Sequence, residues 1–421
     1  MIVSFLNTFR IYFDRRLIII LLFGFSSGLP LLLIGSTLAF WCSKIGVDKS
    51  TIGLFALTGF PYAWKFLWAP FLDRTKVPFL GKLLGRRRGW LLVTQICLAV
   101  AIFALGCNAP EASLKATAIC AICVAFFSAT QDILIDAYRI ESLPVAEYTA
   151  GGGVEVFGYR MGMIVAGGVA LGLFDHYSWQ TVYTFMAACM GVGILTTLFC
   201  REPETSKKVV TKAKDLEEAF KTGFLMPFLD FIKRPGWYWI FAFIILYRAT
   251  DCLIGKMSTV FYQELGFTGA EVGMASKTVG IWMAVTGGLL GGMIGYRIGI
   301  MKTLLWGLII HVASNGFFLL LAEQGQSTSL LYTTVISQEL SGGIMSSAFV
   351  AYLSRLCNAQ FSATQYALFS ALMSNGRVFV QMGSGFLAES LGWPLFFVAC
   401  SLGSIPGLLI LLHLMKKDPI K

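Results

Sequence analysis

The chain has 421 residues, of which 56% are hydrophobic and only 13% charged, and its mean hydropathy is +0.72. A soluble globular domain carries about 25% charged residues, and no polar helical faces separate the apolar runs of this chain, so a soluble protein is excluded. The net charge of +10 does not indicate nucleic-acid binding, because the basic residues follow a loop-by-loop distribution instead of forming one patch.

Apolar runs long enough to cross a hydrocarbon core recur along the whole chain. The first half contains six predicted spans, at about 17–40, 51–72, 90–107, 114–137, 151–174 and 179–199. The second half contains six more, at about 237–262, 270–296, 303–322, 329–352, 363–389 and 393–415. We therefore predict an all-α integral membrane protein with twelve transmembrane helices in two six-helix lobes, and no further span.

The distribution of lysine and arginine predicts the orientation. Of the 33 basic residues, 24 lie in alternate loops and tails, six lie inside predicted spans, and three (Lys44, Lys49 and Lys115) lie in the opposite loops. By the positive-inside rule both termini are cytoplasmic. The predicted parts are an amphipathic N-terminus at 1–16, a lobe at 17–200, a polar linker at 201–236, a second lobe at 237–415 and a tail at 416–421.

The two halves share a sparse repeat, which is typical of transporters built from parallel halves. Four residues of the first half recur in the second at offsets of 214 to 217: Tyr138, Arg160, Gly168 and Trp179 correspond to Tyr352, Arg377, Gly385 and Trp393. Glycines spaced for close helix packing, among them Gly158 with Gly162 and Gly287 with Gly291, favour a packing role over ligand contact.

Charged residues inside the predicted spans are costly unless they pair or face water, so they mark candidate functional positions. The bases are Lys65, Arg160, Arg248, Lys256, Lys277 and Arg377, and the acids are Asp132, Glu155, Asp251 and Glu339, with Asp136 near the cytoplasmic edge. The excess of positive charge suits an anionic substrate, and the arginine fork suits carboxylate or phosphate. Alternatively these charges pair internally; Arg248 and Asp251, three apart on one helix face, are the clearest candidates.

A carboxylate in a low-dielectric cavity can load and release a proton as its surroundings change. Asp132 is the first candidate for proton coupling, followed by Glu339 and Glu155. Asp136 shares a helix face with Asp132, but its proximity to Arg139 also fits a structural latch.

Motifs for catalysis are absent from the sequence. There is no GxxxxGK[ST] loop, the three histidines are far apart, and the ten cysteines lie scattered without metal-ligand spacing. We expect no enzyme activity, no cofactor, no metal and no disulfide.

Several motifs together resemble AmpG-type muropeptide permeases of the major facilitator superfamily. They are SSGLP at 26–30, KFLWAPFLDR at 65–74, GRRRGWLL at 85–92, SATQDILIDA at 128–137 and GYRMGM at 158–163. The resemblance is dense over 17–200 and continues in layout to about 415. It implies import of GlcNAc–anhydro-MurNAc, with or without peptide, across the bacterial inner membrane, driven by protons, for peptidoglycan recycling and with an influence on β-lactamase induction.

Combining this resemblance with the deep charges, we predict the substrate-binding residues, which are Arg160, Arg377, Gln131, Lys65, Tyr159, Asn375, Lys277 and Trp282. The resemblance further implies a cytoplasmic gate formed by Asp73, Arg74, Arg86, Arg87 and Arg88, which meets Asp136 and Arg139. The chain departs from the superfamily loop by an insertion at 75–84. The expected partners are an anionic muropeptide, protons and membrane lipid, with no nucleic acid, and the protein is expected to be a monomer.

Two alternatives remain at this point. A related branch of the superfamily is similar in the fourth span, which allows a carrier of acetyl-CoA or another anionic metabolite. A non-transporting muropeptide sensor is the second alternative, although the chain has no sizeable soluble output domain.

Overall fold

The computed structural model describes residues 10–48, 51, 55–108, 110, 113–174, 176–204 and 226–417, and every regular element in these ranges is helical. Most of the predicted linker, the start of the predicted amphipathic N-terminus, Lys49, the end of the tail and the side chain of Lys256 lie outside the described part.

The described residues of the first half form eleven α-helices. They are α1 Arg15–Ile34, α2 Ser36–Lys44, α3 Phe60–Trp64, α4 Ala69–Arg74, α5 Leu80–Leu83, α6 Arg86–Cys107, α7 Leu114–Ser142, α8 Tyr148–Ile164, α9 Ala170–Leu173, α10 Trp179–Cys189 and α11 Gly191–Phe199. Short 3₁₀ turns occur at Arg10–Phe13, Phe55–Gly59, Lys65–Leu67 and Val145–Glu147, and a π-helical turn, Val165–Val169, joins α8 to α9.

From residue 226 to residue 417 the chain forms ten further α-helices. They are α12 Met226–Ile232, α13 Trp237–Leu246, α14 Ala249–Glu264, α15 Gly269–Gly273, α16 Gly280–Ile298, α17 Ile300–Gln324, α18 Thr328–Leu356, α19 Ser362–Met382, α20 Ser384–Leu402 and α21 Ile405–Lys417. A π-helical turn, Met274–Val279, precedes α16. The left-handed Gly392 breaks α20 just before Trp393, where the sequence predicts the last span to begin.

Eight helical segments of the described residues are long and apolar enough to cross a membrane. One of them, Trp179–Phe199, has the predicted bounds of span six. Span two is not one helix, because Pro61 and Pro70 begin new short helices within it. Span seven is interrupted between α13 and α14 at Tyr247 and Arg248. The count of twelve spans stays a prediction.

The start of α1 shows how a span begins at the polar boundary. The Asp14 carboxylate accepts a hydrogen bond from the Arg16 amide at 2.8 Å and so caps the helix. The Arg16 guanidinium beside it holds the pKa of Asp14 below its ordinary value.

Glycines allow helix backbones to approach each other, as the sequence predicted. A Cβ added at Gly158 would lie 2.8 Å from the Phe25 nitrogen, and one at Gly162 would lie 2.9 Å from the Leu29 nitrogen, so α8 packs directly on the backbone of α1. In the second half, a Cβ at Gly343 of α18 would lie 2.7 Å from the Gly288 nitrogen of α16. The packing role of these glycines is confirmed.

The contacts divide the chain into two compact units. The first consists of Met1–Pro144, Val154–Pro227 and Cys357–Ala371, and the second of Val145–Gly153, Phe228–Leu356 and Leu372–Lys421. A short segment from the second half of the sequence, including the start of α19, therefore packs within the first unit.

Candidate functional site

Asp132 lies on α7 in the first unit and contacts α1. Ser27 of α1 donates a hydrogen bond from its hydroxyl to Asp132 Oδ1 at 2.5 Å. No basic side chain among the described residues lies within 4 Å of this carboxylate, although the Lys65 ammonium is within electrostatic reach of it. Asp132 is thus a hydrogen-bonded carboxylate without an ion-pair partner among the described residues, which suits a group that exchanges a proton.

One helical turn along α7, the charges pair closely. Asp136 lies 3.9 Å from the Lys65 ammonium and 3.1 Å from the Arg139 guanidinium. Arg139 also pairs with Glu155 of α8, and its guanidinium carbon lies 5.0 Å from the ring centroid of Tyr366. Glu155 is thus engaged by a buried arginine, whereas Asp132 is not, and this distinguishes two of the three predicted coupling carboxylates.

Three more predicted substrate residues lie near Asp132 in the sequence or the fold. Tyr159 of α8 is within electrostatic reach of Asp132, and Arg160 follows it. The Arg160 Nη1 atom lies 3.9 Å from the Met163 sulfur, and no carboxylate of the described residues forms an ion pair with it. Gln131 is fully buried and exchanges hydrogen bonds with Ser26, so its amide joins α7 to α1.

The predicted gate contains a buried carboxylate, Asp73 at the end of α4. Its oxygens accept hydrogen bonds from the backbone amides of Ala363 at 3.3 Å and Thr364 at 2.8 Å, and from the Thr364 hydroxyl at 2.7 Å. A carboxylate at the first turn of a helix is stabilised by the free amides and by the helix dipole. Asp73 therefore caps α19, a helix that begins 289 residues later in the sequence.

Arg87 completes this cluster from the start of α6. Its guanidinium contacts Asp73 at 2.6 Å, Glu141 of α7 at 2.5 Å and the Ser362 hydroxyl at 3.0 Å. Ser362 in turn donates to Glu141 at 2.5 Å. We name Asp73, Arg87, Glu141, Ser362 and Thr364 the α19 latch. Each charged side chain in the latch is at most 1% exposed. Because these charges are shielded from solvent, removal of one of them would leave its partners buried without a counter-charge.

The other gate residues have different partners. Arg86 donates to the Asp73 carbonyl and lies 3.6 Å from Glu141. Arg88 turns away and donates to the carbonyls of Thr197 and Leu198 at 3.0 Å and 2.7 Å, and Arg74 is half-buried. The predicted gate residues therefore do not form one cluster. Asp136 and Arg139 pair with each other and with Lys65 and Glu155. The arginines of the basic loop pair with Glu141 instead.

Sequence reasoning missed the acidic partners of the basic loop. Glu141 was overlooked, and so was Glu202, whose carboxylate accepts the backbone amides of Arg87 at 2.9 Å and Arg88 at 3.0 Å. The sequence did contain a hint of these partners. Arg86, Arg87 and Arg88 are adjacent, and three positive charges need more negative charge nearby than Asp73 alone supplies. Ser362 and Thr364 carried no such signal, since a helix N-terminus contributes backbone amides irrespective of sequence.

In the second unit, the predicted pair of Arg248 and Asp251 forms, with Nη2 and Oδ2 separated by 2.5 Å. The buried His311 lies 4.0 Å from Asp251 Oδ1 and shares its other ring nitrogen with the Ser341 hydroxyl at 2.9 Å. A cavity of about 70 Å³ opens beside this pair, and Arg377 of α19 lines it. Arg377 is exposed and forms no ion pair with the described carboxylates.

The remaining predicted residues of the second unit are spread over α16, α18, α19 and the π-helical turn. Lys277, Trp282 and Asn375 are exposed. Glu339 of α18 lies against α16, where a Cβ added at Gly280 would be 3.3 Å from its Cγ atom, and it is within electrostatic reach of Tyr262.

The deep bases separate into two classes. Lys65 and Arg248 pair with carboxylates. Arg160, Lys277 and Arg377 form no ion pair with any residue that the structure describes. An uncompensated cation at membrane depth is costly, so the absence of an ion pair sets these three apart from Lys65 and Arg248.

Comparison with known families agrees with this architecture. The model of the Major Facilitator Superfamily matches residues 17–309 and 249–421. The chain is 41% identical to the anhydromuropeptide permease of Escherichia coli (strain K12), over 96% of this chain and 80% of that protein. It is 32% identical to a transporter of Rickettsia felis named AmpG 4, over 97% of this chain and 98% of the relative.

Solved structures show the same fold at low sequence identity. The transporter FucP in its outward conformation aligns with a TM-score of 0.70 at 13% identity, covering 95% of this chain and 98% of FucP. The proton:xylose symporter XylE aligns with a TM-score of 0.67 at 11% identity, covering 95% of this chain and 94% of XylE.

Proposed function

Because the chain belongs to the major facilitator superfamily and, within it, to the AmpG-type permeases, we propose that it imports anionic muropeptides together with protons. It is a multi-pass transporter of the bacterial inner membrane and not an enzyme. The similarity to the Escherichia coli anhydromuropeptide permease supports the proposed ligand, which would be GlcNAc–anhydro-MurNAc with or without peptide.

One observation carries the proposal of an anionic cargo. Arg160, Lys277 and Arg377 lie in apolar segments and form no ion pair with the described carboxylates. Muropeptides bring lactyl-derived and peptide carboxylates, which match the arginine fork. Arg160 and Arg377 occupy equivalent places in the two halves of the sequence, and each is proposed to bind a carboxylate of the ligand.

The proton is proposed to travel on Asp132. This carboxylate accepts a hydrogen bond from Ser27 and has no base within ion-pair distance among the described residues, whereas Glu155 is paired with Arg139. A permanently paired carboxylate has its charged form stabilised throughout the cycle and releases no proton. Glu339 remains the second candidate.

Transport is proposed to proceed by alternating access between two six-helix lobes with both termini in the cytoplasm. The α19 latch gives this cycle a specific contact to break. Opening on the cytoplasmic side would separate the start of α19 from Asp73, and the hydrogen bonds lost by Thr364 would have to be replaced by water.

Proteoliposomes that contain the purified protein test the cargo. We expect uptake of labelled GlcNAc–anhydro-MurNAc, with a KM that rises about 10- to 100-fold in Arg160→Gln, because a hydrogen bond to a charged group contributes about 1.5–3 kcal/mol. Lys44→Gln, which removes an exposed base from α2, is the matched control and should leave the KM unchanged. The neutral methyl ester of the disaccharide lacks the carboxylate that Arg160 is proposed to bind. We therefore expect its uptake to be slow, and equally slow in the parent and in Arg160→Gln.

The same experiment separates the alternatives. If acetyl-CoA is transported and the disaccharide is not, the chain is a carrier of another anionic metabolite. If the disaccharide binds to the protein but never enters the vesicles, the chain is a sensor.

A further inference from the structure

A large concave surface of the first unit lies apart from Asp132, at the ends of α1, α6 and α7. It is a groove of about 1,140 Å³, lined by seven basic and three acidic side chains. The basic loops of the sequence predict that this end faces the cytoplasm. We name it the basic groove. Its lining includes Glu141 of the α19 latch, but the transport cycle proposed above assigns no role to Lys76, Lys82 or Arg201.

Ion pairing leaves the basic groove with an excess of positive charge. Its seven bases outnumber its three acids, and one of these acids, Glu141, is already engaged by Arg86 and Arg87. Lys76, Lys82 and Arg201 are exposed, and none of the three forms an ion pair with a residue that the structure describes. Glu202 and Glu204 are the other two acids lining the groove.

The segment 75–84 forms one wall of the groove and presents apolar side chains beside its bases. Phe79 is 88% exposed and Leu83 is 80% exposed. Phe79 immediately precedes the short helix α5, and Leu83 follows Lys82 on that helix. The Trp90 indole donates to the Thr75 carbonyl at 2.9 Å and fixes the start of the segment.

The backbone at Phe79 is strained in a way that exposes this ring. Its φ of 60° and ψ of −60° form a tight γ-turn, in which the Leu80 amide donates to the Pro78 carbonyl at 2.7 Å. Phe79 is the one non-glycine residue with a positive φ among the described residues. Such a conformation costs about 1–3 kcal/mol. In water the exposed phenylalanine ring buries almost no apolar surface, so no hydrophobic stabilisation offsets this cost. Insertion of the ring into the apolar edge of a bilayer would offset that cost.

We propose that the basic groove binds the phosphate headgroup of an anionic phospholipid of the cytoplasmic leaflet. Lys76, Lys82 and Arg201 contact the phosphate oxygens, and Phe79 and Leu83 lie among the upper acyl carbons. Membrane lipid is chosen over a soluble phosphate because exposed apolar side chains adjoin the bases, which a water-soluble anion does not need. A headgroup with two phosphates, as in cardiolipin, suits three separate bases in a groove of this volume.

Native mass spectrometry of the purified full-length chain in detergent tests the proposal. Cardiolipin, phosphatidylglycerol and phosphatidylcholine are titrated into the protein, and the affinity of the first bound lipid is measured. We expect cardiolipin to bind most tightly. In the triple variant Lys76→Gln, Lys82→Gln and Arg201→Gln, its affinity should fall about 100-fold, since each base near an anionic headgroup contributes about a factor of five.

Two further variants locate the site and identify the source of the phosphate. The control Lys233→Gln, Lys302→Gln and Lys416→Gln removes three exposed bases from the second unit and should keep the parental affinity. The double variant Phe79→Ser and Leu83→Ser should weaken cardiolipin about tenfold through the lost apolar contact. Equal cardiolipin affinity in the parent and the triple variant would overturn the proposal. So would displacement of the lipid by glycerol 3-phosphate at equal concentration, which would indicate a soluble anion.

Discussion

The carboxylate of Asp73 caps the helix that contains Thr364, although 291 residues separate the two in the sequence. The Thr364 amide donates at 2.8 Å and its hydroxyl at 2.7 Å, while Arg87 holds the other carboxylate oxygen at 2.6 Å. One buried carboxylate thus ties the basic loop after α4 to the start of α19. A transporter that must release this segment in every cycle would depend on both the strength and the reversibility of these contacts.

We first predict that Arg87→Ala disables this latch. The substitution leaves the Asp73 and Glu141 carboxylates buried without their shared guanidinium, and removal of one partner from a buried ion pair costs about 3–5 kcal/mol. The free energy of unfolding in detergent should fall by about this amount, and uptake should be lost. Lys82→Gln removes a nearby exposed charge and should leave the unfolding free energy within about 0.5 kcal/mol of the parent. Unchanged stability in Arg87→Ala would show that the latch does not hold α19.

A second prediction concerns the contact between α1 and α8. Gly158→Ala introduces a Cβ that would lie 2.8 Å from the Phe25 nitrogen, so the two helices must separate. Overpacking of this kind costs about 1–3 kcal/mol, and because α1 and α7 carry the Ser27–Asp132 hydrogen bond, uptake should fall as well. Gly168→Ala is the control, since its added Cβ meets no atom within 4 Å. Thermal inactivation of both variants in detergent measures the difference, and equal inactivation temperatures would contradict the close packing.

Local patterns explain which parts of the molecule could be predicted. Apolar runs located most of the spanning helices, and the three-residue spacing of Arg248 and Asp251 predicted their pairing, because both signals depend on neighbours along one helix. Pro61 and Pro70 are local signals for the break of span two, because proline favours the first turn of a new helix, but the prediction treated the span as continuous. The Asp73–Thr364 cap and the Ser27–Asp132 hydrogen bond join residues 291 and 105 positions apart, and no local pattern encodes such distances.

A third prediction asks whether Arg248 and Asp251 form a structural pair. Asp251→Asn should lower the free energy of unfolding by about 1–3 kcal/mol, because Arg248 loses a charged hydrogen-bond partner. The double variant Arg248→Gln and Asp251→Asn removes both charges, and should recover most of the stability together with gradient-driven uptake. If the double variant is stable but does not accumulate the disaccharide, the pair has a transport role that a purely structural pair lacks.

The central claim is that Asp132 couples a proton to the entry of an anionic muropeptide. The most direct measurement is accumulation of labelled GlcNAc–anhydro-MurNAc in proteoliposomes, with and without an inward proton gradient, for the parent, Asp132→Asn and Glu155→Gln. Folding of each variant is checked by size-exclusion chromatography. We predict that the gradient drives accumulation by the parent, that an uncoupler abolishes it, and that Asp132→Asn equilibrates the ligand without concentrating it. Gradient-driven accumulation that survives in Asp132→Asn would contradict the account and move the proton to another carboxylate.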